Sequence, residues 1–324
     1  MRAVPPLEAR VLFSRSPGAA DAESAWQAAE PAERAAADDA ARALQRLGVR
    51  APLAGEPDYP VALRALPDAP RVVFVRGRLP ECARAVAVVG SRAATPYGIA
   101  QAGTLAADLA RLGYTVVSGL ARGIDGAAHR GALEARGASV AVLPGGLDAV
   151  TPRHHAALAE SLCACGGLLS ERASGPPPFR TTFLERNRLI AALAAATVVV
   201  EAALRSGALA TAAAARRLGR PVLAVPGDVD RETSRGTHAL IRAGAALCEG
   251  AGDVLRVLGG ERSGGEATPQ ARLLAALRAE PRGADELAAA ADLAVDETLA
   301  LLLQFEWAGV AAAVPGQRWR RAPS

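Results

Sequence analysis

The stretch Val86–His129, VAVVGSRAATPYGIAQAGTLAADLARLGYTVVSGLARGIDGAAH, constrains the fold more than any other part of the chain. It reads twice as strand, tight turn, helix. Ala85–Val89 is an apolar run without helical period and stops at Gly90-Ser91-Arg92. Thr95 is placed to cap a helix that begins at Pro96, where the missing N–H costs nothing. Leu105, Leu109 and Leu112 form its expected buried stripe, and Gly113 its stop. Thr115–Val117 is the second strand, closed by Ser118-Gly119, and Asp125 opens the next helix. Parallel strands joined by a helix need a right-handed crossover, so both turns fall on the carboxyl edge of one sheet. That edge is where open α/β sheets bind ligands. Each turn supplies small residues, backbone N–H groups at a helix start and one arginine, Arg92 or Arg122. The combination suits a phosphate.

The same rhythm continues downstream. Ser139–Leu143 is a third strand ending in Pro144-Gly145-Gly146, followed by a helix over Pro152–Cys165 and a short strand at Leu168–Ser170. After the Pro-rich breaker Gly175–Arg180, a helix is expected over Thr182–Ala195, then an apolar strand over Thr197–Glu201. Ser206-Gly207 opens a helix that stops at Gly219, and Pro221–Val225 is a strand. A helix at Thr237–Ala243, a strand at Ala245–Cys248 and a helix at Asp253–Leu258 complete a doubly wound, mostly parallel α/β unit. Ahead of it, residues 1–58 form a poorly defined helical segment with one or two Ala-rich helices in Ala22–Gly48. A short helix after Tyr59 and a strand at Val72–Val75 lead into the sheet, giving a core of residues 59–258. Residues 259–269 are a linker by composition. Helical patterns at Gln270–Ala279, Ala284–Ala291 and Val295–Trp307, with a Pro315-Gly316 turn between β-prone pieces, make residues 270–324 a small winged helix.

Composition excludes several classes. The longest apolar run, Leu189–Val200, is too short to span a bilayer, and no apolar leader follows Glu8 and Arg10, so the expected location is the cytoplasm, away from membranes. Four scattered cysteines point to reduced thiols, and Cys163-Ala-Cys165 lacks a second pair at zinc-like spacing, so no metal or other cofactor is expected. Every basic residue is arginine, as an arginine- and alanine-rich genome would produce. Residues 84–258 nevertheless carry 19 arginines against 13 acids within a net charge of +4, which makes a polyanionic partner plausible.

The ordered motifs VGSR, YG, VSGLARGIDGAAH, Arg186-Asn187-Arg188-Leu-Ile with Phe183, VVVEA, SGALATA, RPVLAVPG and GTHALIRAGA resemble DNA-processing protein A, the DprA or Smf family, over residues 59–258. The tail resembles that family's C-terminal winged helix. The resemblance implies an extended Rossmann-like core that binds single-stranded DNA, protects incoming strands and loads the RecA recombinase during natural transformation. It also implies a homodimer without enzymatic activity. Departures are Thr151-Pro-Arg-His-His155 where the family often has Tyr-Pro-x-x-Asn, and Ala192-Leu193-Ala194 where Gly-Leu-Ser is usual. The N-terminal segment lacks a clear helix-hairpin-helix glycine pattern.

The expected nucleic-acid site gathers Gly90, Ser91, Arg92, Ser118, Gly119, Arg122, Gly145, Gly146, Phe183, Arg186, Asn187, Arg188, Ser206 and Gly207. A ring beside phosphate-binding arginines is what a single-strand site needs. The structural alternatives are a core phenylalanine, strand-ending turns with surface arginines, and one of Arg186 and Arg188 buried against Glu201. Asp125 and His129 share a helix face and are expected to be a structural pair, Asp125 pairing with Arg122 or His129. By resemblance, His238, Leu240, Ile241, Leu255 and Leu258 form the dimer contact near the RecA surface. The expected recognition helix, Asp296–Glu306, has three acids and no arginine, lysine or asparagine, a poor major-groove reader. Arg318, Arg320 and Arg321 around Trp319 are read as a solvated tail that could touch a backbone.

Two other readings compete. Pro144-Gly145-Gly146 suggests a nucleotide-processing enzyme of the phosphoribohydrolase kind, but Leu147-Asp-Ala-Val-Thr-Pro gives its catalytic carboxylate no obvious place. A dinucleotide dehydrogenase would want GxGxxG at the first turn and an acid ending the second strand, where this chain has GSRAAT and Ser118-Gly119.

Overall fold

The computed structural model describes residues 5–174, 178–259, 269–307 and 309–322. Contacts divide the chain into two compact units, Met1–Gly259 and Gly260–Ser324. The expected linker at 259–269 falls largely outside the described residues, as do residues 175–177 of the Pro-rich breaker.

The first unit is built on eight strands: β1 (Phe74–Gly77), β2 (Ala85–Val89), β3 (Thr115–Ser118), β4 (Ser139–Leu143), β5 (Gly167–Ser170), β6 (Ala196–Val199), β7 (Val222–Ala224) and β8 (Ala246–Leu247). They lie in the order β1-β5-β4-β3-β2-β6-β7-β8, all parallel except β1, which runs antiparallel to β5. From β2 the chain winds through β3, β4 and β5 to one side, then returns to β6 on the other. The β2–β6 boundary is therefore the switch point at which neighbouring loops diverge and leave a crevice.

The helices are α1 (Leu7–Arg15), α2 (Ala22–Ala28), α3 (Pro31–Arg46), α4 (Pro96–Arg111), α5 (Ile124–Glu134), α6 (Ala156–Cys165), α7 (Arg180–Leu193), α8 (Gly207–Arg217), α9 (Glu232–Arg242) and α10 (Ala251–Val257). The strands alternate between two cores, as a period of two requires. Ala85, Ala87 and Val89 of β2 face α7 and α8, while Val86 and Val88 face α4 and α5. At the β1 end a third core joins Val11, Leu12 and Phe13 of α1 and Leu44 of α3 to Phe74, Leu143 and Leu162.

Several elements differ from the sequence reading. The helix α1 was not anticipated, and α9 starts five residues before the expected Thr237. The helix expected from Pro152 begins as a 3-10 turn at Arg153–His155. α7 runs Arg180–Leu193 instead of Thr182–Ala195, because the backbone N–H of Ala195 already pairs with the Ala85 carbonyl beside β2. Leu112, expected in the buried stripe of α4, is the helix C-cap and is 47% exposed.

The crossing of α4 and α5 depends on a glycine of α5. A Cβ on Gly131 of α5 would collide with the backbone carbonyl of Gly103 on α4. Close-packed interiors do not relax around a backbone clash. Gly131→Ala is expected to destabilise the first unit by about 1–3 kcal/mol, read as a lower denaturant midpoint. An unchanged midpoint would mean that the helices can separate without loss.

The second unit packs α11 (Pro269–Ala276), α12 (Ala284–Ala291) and α13 (Val295–Trp307) around Leu273, Leu277, Leu287, Leu301, Leu302 and Trp319. Strands β10 (Ala311–Val314) and β11 (Arg318–Arg321) form the wing hairpin, and β9 (Arg282–Gly283) adds a third strand that the pattern did not reveal. Among the described residues no helix is long and apolar enough to cross a membrane.

Candidate nucleic-acid interface

A cleft of about 1070 Å³ opens at the β2–β6 switch point. Its walls are the turn after β2, the first turns of α7, and the loop from β6 into α8. The residues in it include Gly90, Ser91, Arg92, Phe183, Arg186, Asn187, Ser206 and Gly207, so the chain brings these expected site residues together. Arg180 and Arg205 also line it, and both are exposed. Sequence reasoning missed them. Arg205 immediately precedes the Ser206-Gly207 helix start, and Arg180 lies three residues before Phe183, one turn earlier on the same face. Around the cleft four arginines (Arg92, Arg180, Arg186, Arg205) stand against Asp125 and Glu232.

The aromatic and the phosphate-type turn meet directly. The guanidinium of Arg92 lies over the half-buried Phe183 ring, 4.4 Å from its centroid. Such a contact is worth about 0.5–1 kcal/mol at an exposed site. It presents a flat cationic face to the cleft beside the exposed apolar side chains Leu184 and Leu204. Phe179, at the N-cap of α7, is 67% exposed. Ser206 caps α8 by accepting from the Ala208 N–H at 3.3 Å.

The floor is fixed by charges that do not reach solvent. Arg186 is only 5% exposed and donates to the Gly119 carbonyl at 2.8 Å and to the Val142 carbonyl. A Cβ on Gly119 would sit 2.5 Å from that guanidinium, so a side chain there would push Arg186 off its carbonyl partners. Burial lowers the Arg186 pKa to about 10, opposed by the Asp125 carboxylate, which leaves it charged at neutral pH. Asp125 accepts from the backbone N–H groups of Gly119 at 3.2 Å and Ala121 at 3.4 Å. Burial pushes its carboxyl above the usual carboxylate range, while the Arg186 charge and the Ala121 N–H pull it back only in part. Asn187 donates to the Gly207 carbonyl at 3.0 Å and ties α7 to the start of α8.

Several expectations are corrected here. Neither arginine of the Arg186–Arg188 pair meets Glu201. Arg188 is held by Asp68 at 2.8 Å and Glu171 at 2.9 Å, away from the cleft. Glu201 instead accepts from the Thr95 backbone N–H at 2.9 Å and the Thr95 hydroxyl at 2.6 Å. Thr95 in turn accepts from the Gly98 N–H at 3.1 Å, so α4 is capped from beneath by an internal carboxylate. Asp125 takes Arg186 rather than Arg122 or His129 as its charge partner. The buried His129 donates from Nδ1 to Ser139 Oγ at 2.7 Å, because that hydroxyl's proton goes to the Val116 carbonyl. Burial lowers its pKa to about 3.

Other expected residues lie apart. The buried Ser118 donates to the Val88 carbonyl at 2.6 Å, and Gly119 is spent on Asp125 and Arg186. Arg122 is exposed but outside the cleft wall. Gly145 and Gly146 are buried, and Gly145 accepts from Ser170 Oγ at 2.7 Å. His238, Leu240, Ile241, Leu255 and Leu258 are half-buried on α9 and α10 or at their ends, at the β8 side of the sheet. Among the described residues no cluster of three or more His, Cys, Asp or Glu could hold a metal.

Residues 51–259 match the family described as DNA recombination-mediator protein A, and residues 263–317 match the DprA winged helix domain. The chain belongs to the DprA/Smf family. It is 46% identical to a DNA processing protein DprA of Mycobacterium tuberculosis, covering 88% of this chain and 80% of the relative. It is 42% identical to protein Smf of Escherichia coli K12, over 82% and 76%. Among solved structures, DprA of Streptococcus pneumoniae superposes with a TM-score of 0.63 at 32% identity, over 75% of this chain and 84% of that one. DprA of Helicobacter pylori, whose single-stranded DNA binding mode was solved, gives 0.58 at 29% identity, over 65% and 95%.

The buried floor makes a sharp stability statement. Arg186→Met is expected to destabilise the first unit by about 1–3 kcal/mol for each buried carbonyl it leaves without its donor, those of Gly119 and Val142. Thermal unfolding without any ligand checks this. An unperturbed melting temperature would show that Arg186 is not structural.

Proposed function

We propose that this DprA/Smf family member binds single-stranded DNA in the switch-point cleft, and that it acts as a recombination mediator. The observation that carries the reading is the stacked Arg92–Phe183 pair at the head of a cleft also lined by exposed Arg180 and Arg205. Aromatic and guanidinium planes accept unstacked bases, and arginines at small-residue turns accept phosphates. Duplex DNA offers its bases only within grooves, which a concave cleft of this size does not enter.

Within this reading Gly90, Ser91, Arg92, Arg180, Phe183, Arg205, Ser206 and Gly207 touch the strand. Arg186, Asn187 and Arg188 brace the helix that presents Phe183. The charged pair of the floor is committed to backbone carbonyls and N–H groups, which supports binding rather than catalysis. By family likeness the protein works in the cytoplasm, protects incoming strands during natural transformation and loads RecA. It does so as a homodimer joined through His238, Leu240, Ile241, Leu255 and Leu258.

Gel shifts with single- and double-stranded oligonucleotides of equal length test the site. The single strand is expected to bind more tightly, with log K falling against log salt at about −0.7 per phosphate neutralised. Arg92→Glu weakens binding regardless of sequence, and Phe183→Ala costs about 1–3 kcal/mol of affinity. Equal affinity for duplex, or a Phe183→Ala protein that melts earlier yet binds normally, would refute the assignment.

Assembly has its own test. Two clefts on one particle hold a long strand more tightly than either alone. Ile241→Arg is expected to give a folded monomer by light scattering, with a larger loss for long oligonucleotides than for short ones. A wild-type protein that is monomeric at micromolar concentration would contradict this.

A further inference from the structure

The winged-helix unit carries an apolar row that its own core does not use. Along α13, Thr298, Leu301 and Leu302 are buried, and Phe305 packs with them. On the other side Val295, Leu299, Leu303 and Trp307 recur at every fourth position and are 43%, 41%, 49% and 87% exposed. At 1.5 Å per residue the row is about 18 Å long. An unbroken row of large exposed apolar side chains marks an interaction surface.

Charge selects the occupant. At 100° per residue, Asp296 and Glu306 fall within the angular span of the row, one at each end. Among the described residues Asp296, Glu297 and Glu306 make no ion pair, whereas Arg272 pairs with Asp292 and Arg282 with Glu286 elsewhere in the unit. Duplex DNA is disfavoured, because the helix that would enter the groove offers carboxylates to phosphates and no donors to base edges. A second copy is disfavoured too. Antiparallel pairing sets Asp296 against Glu306, and parallel pairing sets each acid against its own counterpart. A helix with its own apolar row and a cation at each end, about 15 Å apart, satisfies both features.

We propose that α13 is a docking face for a basic amphipathic helix of a partner protein, so that the second unit recruits protein and not DNA. The inference is independent of the cleft, since the two surfaces lie on separate units.

The probe is a synthetic 18-residue helical peptide with leucine at every fourth position and two arginines about ten residues apart. It is titrated into the full chain while tryptophan emission is followed, with Trp307→Phe defining the contribution of Trp307. Saturable binding with a blue shift of Trp307 is expected, at least about tenfold weaker for a peptide carrying glutamates in place of the arginines. The double variant Asp296→Arg/Glu306→Arg should reverse that preference. Leu299→Glu, at an exposed position, should abolish binding and leave the melting temperature and oligonucleotide affinity unchanged.

Four results would overturn the proposal. They are equal affinity for both peptides, no binding at millimolar peptide, a wild-type assembly that Leu299→Glu dissolves, and Trp307 emission already blue-shifted without peptide. The third would make a second copy the occupant, and the fourth a segment of this same chain.

Discussion

The guanidinium of Arg186 is the interaction on which the carboxyl edge of the sheet depends. It lies beneath the cleft and joins the Gly119 carbonyl, just beyond β3, to the Val142 carbonyl of β4. Asp125 completes the arrangement by holding the N–H groups of the intervening turn. A buried charge is tolerated only when its hydrogen bonds and counter-charge are present together. The geometry of three segments far apart in sequence, the β3–α5 turn, the end of β4 and α7, is therefore set as one unit. Phe183, one turn earlier on α7, inherits its position from that anchor.

A second clamp orders the other side of the cleft. Glu201, at the end of the β6 segment, reaches across the switch point to cap α4 through Thr95. The helix start that first suggested an anion site is thus already served by an internal carboxylate. In the proposed binding mode phosphate contact falls instead to the turn before the cap, where Ser91 and Arg92 line the cleft, and to Arg205 beside the α8 start. The two clamps divide the labour: buried charges shape the edge, and exposed arginines on the same elements remain available to a ligand.

The alternation of strand, small-residue turn and helix was legible because buried parallel strands and amphipathic helices leave different periods in the sequence. The cleft residues on the turns, Gly90 to Arg92 and Ser206-Gly207, were legible for the same reason. The division of roles among Arg186, Asn187 and Arg188 was not. Residue type alone does not say which arginine faces inward; that is decided by the packing of α7 against the sheet. Arg180 escaped notice because it ends a segment read only as a breaker, and Arg205 because the turn it precedes was read for its small residues alone. Gly145-Gly146 resembles an anion turn in sequence, yet both glycines are buried and neither lines the cleft. The strand at β1 was legible but its antiparallel direction was not, since direction at a sheet edge is set by long-range pairing with β5.

Photo-crosslinking of a halogenated single-stranded oligonucleotide, followed by mapping of the modified peptides, tests the central claim most directly. Adducts are expected on Phe183 and on the segments that carry Arg92 and Arg205, and are lost when Arg92 is changed to glutamate. Adducts confined to residues 269–322, or spread over the surface without enrichment at the cleft, would contradict it.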